Sequence, residues 1–398
     1  MAVWDEQLED ASEAWRRWCR TLEGVGLQAL RQTITHDEVD LAEGLRHMGR
    51  MARLVLQVTM ENRDSAHPYL WRSLGPDLKM GGDNPQGLYL AAPINGSDTF
   101  RVHGTRGSAR WMSFLTGRTP AAVAAGEAAW GAALFSPDLQ VGEDGRFEIM
   151  IAPTPHAGNW LRSDAFSATL MIRQFFGTPD AVRPMDIRIE NLTRGDEASP
   201  LLALDGAIAG IDAAGAMFAG MVPAMQSELI AKGAAKNRFA TDIGDPTSRA
   251  GGVPGGNSVT ARWALEPSQA LLVEVTPPTP CAYWDAQVGN GWYESFDYRN
   301  RFSGLTCEQA HLRDDGLLTL VVAQEDPDTV NWLETAHHSE GHIAIRWQLS
   351  EGNLPIPRCR VVDVAAVREL TGLPAVDPEQ RRRMRQKLRT AFDARFRP

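Results

Sequence analysis

The chain has 398 residues, of which 43% are hydrophobic and 23% charged, and it carries a formal net charge of −10. This composition excludes a collagen-like fibre, wholesale disorder and a multi-pass membrane protein, and the negative charge argues against nucleic acid as a partner. Four cysteines, none in a CxxC or CxxH pair, are too few for a disulfide scaffold and do not favour structural zinc. The N-terminus lacks a basic start followed by an apolar run, so we expect a cytoplasmic protein.

An N-terminal helical segment is predicted over 1–70. Apolar residues recur there at spacings near 3.6, which is typical of amphipathic helices. Thr35 is the predicted cap of the second helix, because Glu38 follows it three residues later as in a capping box.

Two β domains are predicted, over 71–198 and 259–363. In both ranges short apolar runs lie between Gly, Pro, Asn and Asp residues, as strands lie between turns. A helical insert and a flexible, Gly-rich linker are predicted over 199–258. Asp205, Asp212 and Pro223 of the insert argue against a membrane span.

A basic helix is predicted over 364–398. Its last 23 residues hold eight basic and three acidic side chains. The spacing of Met384, Leu388 and Ala391 predicts an amphipathic helix with these residues on its buried side, and an anion- or partner-binding arm is the alternative.

The two β domains repeat one another. Each contains an Asp-Gly turn, an apolar strand, Asn-Trp-Leu and then Ile-Arg, and Asn331-Trp332 and Arg346 follow Asn159-Trp160 and Arg173 by 172 to 173 residues. A Trp111–Trp284 pair fits the same spacing. The repeat predicts a mainly β protein with added helix, in which two β-sandwich or jelly-roll-like domains of one design are joined by the helical insert. We interpret the repeated Asn as closing a loop and the repeated Trp as filling the sandwich.

From Trp71 to Val362 the chain resembles a known family, the domain-of-unknown-function family numbered 1214. The segments that carry the resemblance are KMGGDNPQGLYLAAPINGSDTFRVHG, PHAGNWL, WYESFDYRNRF and NWLETAHHSEGHIAIRW. The resemblance implies β-sandwich domains in a bacterial protein of enzymatic appearance, and it implies no single reaction.

No GxSxG, HExxH, Walker or GxGxxG signature is present, so the candidate chemistry lies in clusters of polar residues. In the GGDNP loop, Asp83 is a candidate base or metal ligand near Tyr89, and an Asx-type turn is the alternative. His156 stands on a loop where the second repeat has no histidine, which favours acid–base work. Arg173 and Arg346 each need a carboxylate partner or an anionic ligand group if they are buried.

A second set of candidates lies in WYESFDYRNRF and in the histidine-rich stretch that follows it. In the first, Asp297 and Tyr298 form a candidate acid–base pair, with Trp292 and Tyr293 lining a substrate. In the second, the candidates are His337 and His338 as substrate contacts, with a metal site including His342 or a solvent-facing turn as alternatives.

These residues lead to one hypothesis, with two alternatives. We expect an enzyme that needs no cofactor and acts on a hydrophobic small molecule, a terpenoid- or steroid-like alcohol or ester, by the acid–base chemistry of a lyase, isomerase or hydrolase. The expected catalytic residues are His156, Asp297, Tyr298 and Asp83; the expected substrate-binding residues are Tyr89, Arg173, Arg346, Trp292, Tyr293, His337 and His338. The alternatives are a non-catalytic lipid- or carbohydrate-binding protein and, with less support, a metal-dependent cupin-like enzyme. Homo-oligomer formation stays open.

Overall fold

The computed structural model describes residues 2–35, 37–194, 197–232, 235–240, 254–351 and 354–396. The helices are α1 (Ala2–Arg31), α2 (Glu38–Leu56), α3 (Pro120–Ala124), α4 (Leu204–Lys232), α5 (Val367–Thr371) and α6 (Pro378–Phe396), and a π-helical turn, Gln57–Glu61, continues α2. The predicted Gly-rich linker falls largely on 241–253, outside the described residues.

The first sandwich is built from nine strands in two sheets. They are β1 (Trp71–Leu74), β2 (Gly87–Pro93), β3 (Phe100–Thr105), β4 (Trp111–Arg118), β5 (Trp130–Phe135), β6 (Arg146–Ala152), β7 (Asn159–Arg162), β8 (Ser167–Phe175) and β9 (Asp186–Asn191). Sheet I has the order β1-β2-β8-β4-β5, and sheet II has the order β7-β6-β3-β9.

The second sandwich is built from eight strands. They are β10 (Gly256–Ala264), β11 (Gln269–Val275), β12 (Tyr283–Gly289), β13 (Gly304–Thr306), β14 (Leu318–Ala323), β15 (Trp332–Glu334), β16 (Glu340–Gln348) and β17 (Arg358–Asp363). Sheet III has the order β10-β16-β12-β13, and sheet IV has the order β15-β14-β11-β17.

Apart from β1, the two sandwiches match strand for strand, which confirms the predicted repeat. Sheet III has the strand order of sheet I, and sheet IV that of sheet II. In both, the short strand at Asn-Trp pairs in parallel with the strand before it. Asn159 donates two hydrogen bonds of 2.8 Å to backbone carbonyls of neighbouring segments, and Asn331 does the same at 2.7 and 3.1 Å. The repeated Asn therefore closes a loop in each sandwich.

Each sandwich has its own apolar core between its two sheets. In the first, Phe114 and Ile172 of sheet I pack on residues of sheet II such as Ile149. In the second, Trp347 of sheet III packs on residues of sheet IV such as Leu320. The alternation of side chains along each strand leaves the other face of sheets I and III free for contacts outside the sandwich.

The register of the strands corrects one anchor of the repeat. Trp111 lies opposite the residue two positions after Arg173, and Tyr283 lies opposite the residue two positions after Arg346. The counterpart of Trp111 is therefore Tyr283, and the predicted match of Trp111 with Trp284 is wrong by one residue. A shift of one residue reverses the face, so Trp284 joins the core of its sandwich while Trp111 and Tyr283 lie outside the cores.

The helices α1, α2 and α4 form a separate layer. Arg17 of α1 pairs with Asp212 of α4 at 2.8 Å, and the Trp18 ring lies 6.1 Å from that of Phe218. Among the described residues α4 is the one helix long and apolar enough to cross a membrane, with a mean hydropathy of 1.5 over Leu204–Ile230.

Helix α2 begins at Glu38 and is capped by Asp37 rather than by Thr35. The Asp37 carboxylate accepts a hydrogen bond from the Asp40 backbone N–H at 2.8 Å, which satisfies a donor of the first helical turn. An aspartate one residue before the helix thus takes the role that the capping-box pattern gave to the threonine.

Helix α6 contacts both sandwiches. Lys387 lies 2.8 Å from Asp180 of the first, and Arg381 lies 2.8 Å from Asp326 of the second. Near its end, Arg395 donates a hydrogen bond of 2.6 Å to a carbonyl of the loop before β2.

The amphipathic pattern of α6 is only partly as predicted. Leu388 and Ala391 are buried, but Met384 is 37% exposed, and Arg381 and Arg395 are buried in its place. Buried arginines as well as apolar side chains therefore form the contacts of α6 with the two sandwiches.

Candidate functional site between the sandwiches

The two sandwiches pack against each other through sheets I and III, the equivalent sheets of the repeat. Aromatic side chains cover this face of sheet I: the rings of Trp111 and Phe135 stack with centroids 5.3 Å apart. Phe175 lies 5.8 Å from Tyr283 of sheet III. We call this buried surface the interface layer. Because it is apolar, a polar group in it is costly unless it has a partner.

Arg346 extends from β16 into the interface layer and is fully partnered. It donates hydrogen bonds to Asp285 at 3.1 Å, to Gln287 at 2.6 Å and to the carbonyl of Gly82. The second oxygen of the Asp285 carboxylate accepts a hydrogen bond of 3.0 Å from Asn84. Arg346 thus has the carboxylate partner that a buried arginine requires.

Arg173 occupies the equivalent position in sheet I and has no carboxylate partner among the described residues. Ser113 lies opposite it, where Asp285 lies opposite Arg346, and accepts a hydrogen bond of 2.8 Å from Arg173 Nε. Nη2 of Arg173 is buried without a partner, and the guanidinium lies 5.6 Å from the Phe175 ring. Burial, with the nearby charge of Arg346, lowers the pKa of Arg173 to about 10, so the group stays charged at neutral pH.

The GGDNP loop, residues 81–85, ties the first sandwich to the segment after β12. The Asp83 carboxylate accepts hydrogen bonds from the Ser295 backbone N–H at 2.9 Å and from its hydroxyl at 2.6 Å. Just before the loop, Lys79 donates to the carbonyls of Ser295 and Phe296 at 2.9 and 2.5 Å. Asp83 therefore serves as an acceptor in a contact between the sandwiches. Asn84 does form the predicted Asx-type turn, because its side-chain oxygen accepts a hydrogen bond of 2.9 Å from the Gln86 backbone N–H.

The glycines of this loop let the backbone approach the second sandwich. Gly82 has a φ of 68° and donates a hydrogen bond of 2.7 Å to the carbonyl of Tyr293. A Cβ at Gly82 would lie 2.9 Å from the Tyr293 ring, too close for any other residue. Tyr293 and Arg346 therefore occupy the space beside Gly82.

Burial shifts the titration of the groups around the loop. It raises the pKa of Asp83 and lowers that of Lys79 to about 8, although each charge favours the charged form of the other. Burial also raises the pKa of Tyr89 to about 12 and that of Tyr298 well above 10.0. The Lys79 amine lies 4.6 Å from the Tyr298 ring centroid. Burial thus favours the neutral form of both the Lys79 amine and the Asp83 carboxyl.

The segment after β12 is also anchored to helix α2. The Trp292 indole donates to the carbonyl of Asp40 at 2.8 Å, and Glu294 lies 2.8 Å from His47 and 2.5 Å from Arg50. All of Trp292, Glu294 and His47 are buried. Trp292, a predicted substrate contact, therefore holds the helical layer on the second sandwich.

His338 makes a second anchor to α2. Its Nε2 lies 3.0 Å from a Glu43 oxygen, which also accepts a hydrogen bond of 2.8 Å from Asn290. Burial alone would lower the pKa of His338, but its hydrogen bond to Glu43 and the charge of Glu43 outweigh burial and raise it. The same bond lowers the pKa of Glu43 against the opposing effect of burial.

Three predicted residues lie away from the interface layer. His156 is exposed on the loop between β6 and β7 of sheet II, and His337 is exposed and lies 3.3 Å from Gln324. Asp297 is exposed and accepts a hydrogen bond of 2.7 Å from Asn300 within a turn. No contact among the described residues joins His156 to Asp297, so the structure does not assemble the predicted proton-transfer pair. The loop of His156 belongs to the sheet that faces away from the second sandwich.

The partners that distinguish the two arginines were not among the predicted site residues. Ser113 and Asp285 stand 172 residues apart, within the spacing of the repeat, so an alignment by β-ladder register would have matched them. Phe175 follows Arg173 by two residues, so the alternation of side chains along a strand would have placed the two on the same face.

The histidine-rich stretch does not form a metal centre within the part of the chain that the structure describes. No three His, Cys, Asp or Glu side chains there group so as to hold a metal ion. Nδ1 of His342 lies 2.9 Å from the carbonyl of Asn290, and His338 pairs with Glu43.

Two open clefts lie elsewhere, around sheet II. One, of about 590 Å³, is lined by charged residues such as Asp144, Glu148 and Arg188; the other, of about 690 Å³, is lined by residues such as His67 and Arg194. Both are wide, polar and open to solvent, unlike the enclosed apolar surface expected for a hydrophobic ligand.

No protein-family model and no curated protein matches the chain. Its structure is similar to that of an uncharacterized protein from Burkholderia cenocepacia, with a TM-score of 0.84 and 29% sequence identity over 91% of this chain and 99% of that one. A weak similarity to the VPA0106 protein from Vibrio parahaemolyticus has a TM-score of 0.46 and 12% identity over 78% of this chain and 98% of that one, too low to support an inference. The first similarity supports the fold, and neither protein is named for an activity.

Proposed function

We propose that the protein binds a hydrophobic small molecule, terpenoid- or steroid-like in its apolar body, in the interface layer. The observation that supports this is a surface of large aromatic rings that also holds two buried N–H groups, Arg173 Nη2 and Trp111 Nε1, without partners among the described residues. Binding sites for small molecules are mostly apolar with a few polar groups, and buried polar groups normally have partners. A ligand would supply the missing partners.

Entry of a ligand requires the two sandwiches to separate locally. Trp111, Phe175 and Tyr283 are each at most 2% exposed, so the layer is closed. Helix α6 and the GGDNP loop hold it closed, because each contacts both sandwiches. Release of α6 would open the layer, because the helix bridges the two sandwiches through Lys387 and Arg381.

Fluorine NMR tests the binding proposal. The protein is labelled with 5-fluorotryptophan, and the resonances of Trp111 and Trp160 are assigned with Trp111→Phe and Trp160→Phe variants. On titration with geraniol, we expect the Trp111 resonance to shift in a saturable way while that of Trp160, on sheet II, stays in place. A Trp111 resonance that does not move at saturating geraniol contradicts the proposal.

An enzyme of lyase, isomerase or hydrolase type remains the second candidate. It is favoured by the Lys79–Asp83 pair, an amine with a pKa of about 8 beside a carboxyl whose pKa is raised by burial. These groups adjoin the interface layer through Asn84, which bonds Asp285. In this version Lys79 and Asp83 replace His156 and Asp297 as the proton-transfer groups.

An incubation with the same class of ligand distinguishes binding from catalysis. Geraniol or geranyl acetate is extracted after prolonged incubation with the protein and analysed by mass spectrometry. New products that are lost in a Lys79→Met variant support the enzyme, whereas full recovery of a ligand that binds supports a binding protein.

A further inference from the structure

The repeat offers a comparison inside one molecule. Arg173 and Arg346 stand at equivalent positions of equivalent strands and both enter the interface layer. Asp285 neutralises Arg346, while the opposite position in the first sandwich is Ser113, which carries no charge. The layer therefore holds one arginine more than its carboxylates can neutralise.

Nothing else in the described residues takes the place of the missing carboxylate. Among the described residues Arg173 forms no ion pair, and Ser113 is the one side chain to which it donates a hydrogen bond. It is only 8% exposed, so water cannot solvate the guanidinium as it would at the surface. A buried charge is unfavourable unless it is paired, and a bound anion would provide the pair that Arg173 lacks.

We infer that the ligand of the interface layer carries an anionic group, a carboxylate in the simplest case, which binds the Arg173 guanidinium. This inference rests on the proposed function and adds the charge of the ligand to it. The planar guanidinium is suited to the two oxygens of a carboxylate, and Phe175 and Trp111 would contact the adjoining apolar body. Arg346 plays no such part, because Asp285 and Gln287 already occupy its donors.

The test compares geranic acid with geraniol, which share one apolar body and differ in the anionic group. Calorimetric titration of the full chain at neutral pH, where the acid is ionised, should give geranic acid a Kd at least about tenfold lower than geraniol. Arg173→Met should remove this preference, so that the variant binds geranic acid and geraniol with equal Kd. Arg188→Met, which removes an exposed arginine of β9, is the matched control and should keep the preference.

Ser113→Asp provides a second variant, designed from the other half of the molecule. It should recreate the Asp285–Arg346 pair at Arg173, occupy the guanidinium and abolish the preference without lowering the melting temperature. Geraniol and geranic acid binding with equal Kd would overturn the inference while leaving the proposed function standing. Binding of neither would overturn the proposed function and the inference with it, and a preference that survives Arg173→Met would overturn the inference alone.

Discussion

At the scale of single residues, the partner on the neighbouring strand decides what each repeated arginine does. The sequence motif Ile-Arg is the same in both sandwiches, so its residues alone could not assign different roles. The difference lies on β4 and β12, about 60 residues earlier in the chain, where Ser113 and Asp285 face the arginines. Such a pairing depends on strand register, which hydrophobic patterning does not report for a partner so distant.

Opposite effects on stability are expected for the two arginines. Arg346→Met leaves the buried Asp285 without its cation and should lower the free energy of unfolding by about 3–5 kcal/mol. Arg173→Met removes a buried charge that has no carboxylate, so the free energy of unfolding should stay unchanged or rise. Urea unfolding of the two variants beside the wild type measures both. A loss in Arg173→Met as large as that in Arg346→Met would show that a partner for Arg173 exists in solution.

At the scale of elements, helix α2 is held on the second sandwich by buried side-chain bonds. Glu294 reaches His47 and Arg50, Trp292 reaches the backbone of α2, and His338 pairs with Glu43. The sequence predicted α2 from its 3.6-residue period, but not these contacts, because no local pattern relates residues some 250 to 300 positions apart. The WYESFDYRNRF segment therefore connects helix α2 to the second sandwich.

The Glu43–His338 pair predicts a pH dependence of this attachment. The pKa of His338 is raised above 6.5 and that of Glu43 is lowered below 4.5. His338 contributes its full stabilisation of the attachment at a pH below the pKa that it has in the unfolded chain, and this stabilisation is lost as the pH rises through its raised pKa in the folded state. The stabilisation that Glu43 contributes is lost only as the pH falls through its lowered pKa. Attachment of α2 should therefore weaken as the pH rises above about 6.5.

Hydrogen exchange of α2 measures this effect. After correction for the intrinsic exchange rate, protection of α2 should be lower at about pH 8.5 than at about pH 6. Arg46 and Asn290 also approach Glu43, so the control is His338→Gln, in which protection should lose most of its pH dependence. Equal protection of wild-type α2 at both pH values would contradict the assignment.

At the scale of the whole molecule, the sequence predicted the architecture but not the surfaces through which its parts meet. The repeat defined two sandwiches, the helical insert and both terminal helical regions, because these depend on local patterns and on spacing along the chain. That the sandwiches meet through sheets I and III could not be predicted, since Asp285 and Gln287 alternate with apolar residues along β12, a pattern typical of a strand with one face in solvent. The match of Trp284 was wrong by one residue for lack of the strand register, and His156 was chosen because the second repeat has no histidine at that place.

The interface layer predicts that the two sandwiches unfold together. Trp111 stacks on Phe135 in this layer and lies outside both sandwich cores. Trp111→Ala should therefore weaken the coupling and split a single calorimetric transition into two. Trp160→Ala, which alters strand β7 of sheet II away from the layer, should lower the melting temperature without a split. Two transitions already present in the wild type would show that the layer does not couple the sandwiches.

The pairing of two like sheets from one chain has a consequence that a dimer of identical subunits could not share. In a symmetric dimer, any change opposite one arginine would appear opposite the other, giving two serines or two aspartates. Because both copies lie in one chain, each can carry a different residue at this position, and the second half has a neutralising aspartate where the first has a serine. A single charge-selective position can then arise at the centre of a nearly symmetric surface, with the other half serving as its rigid support.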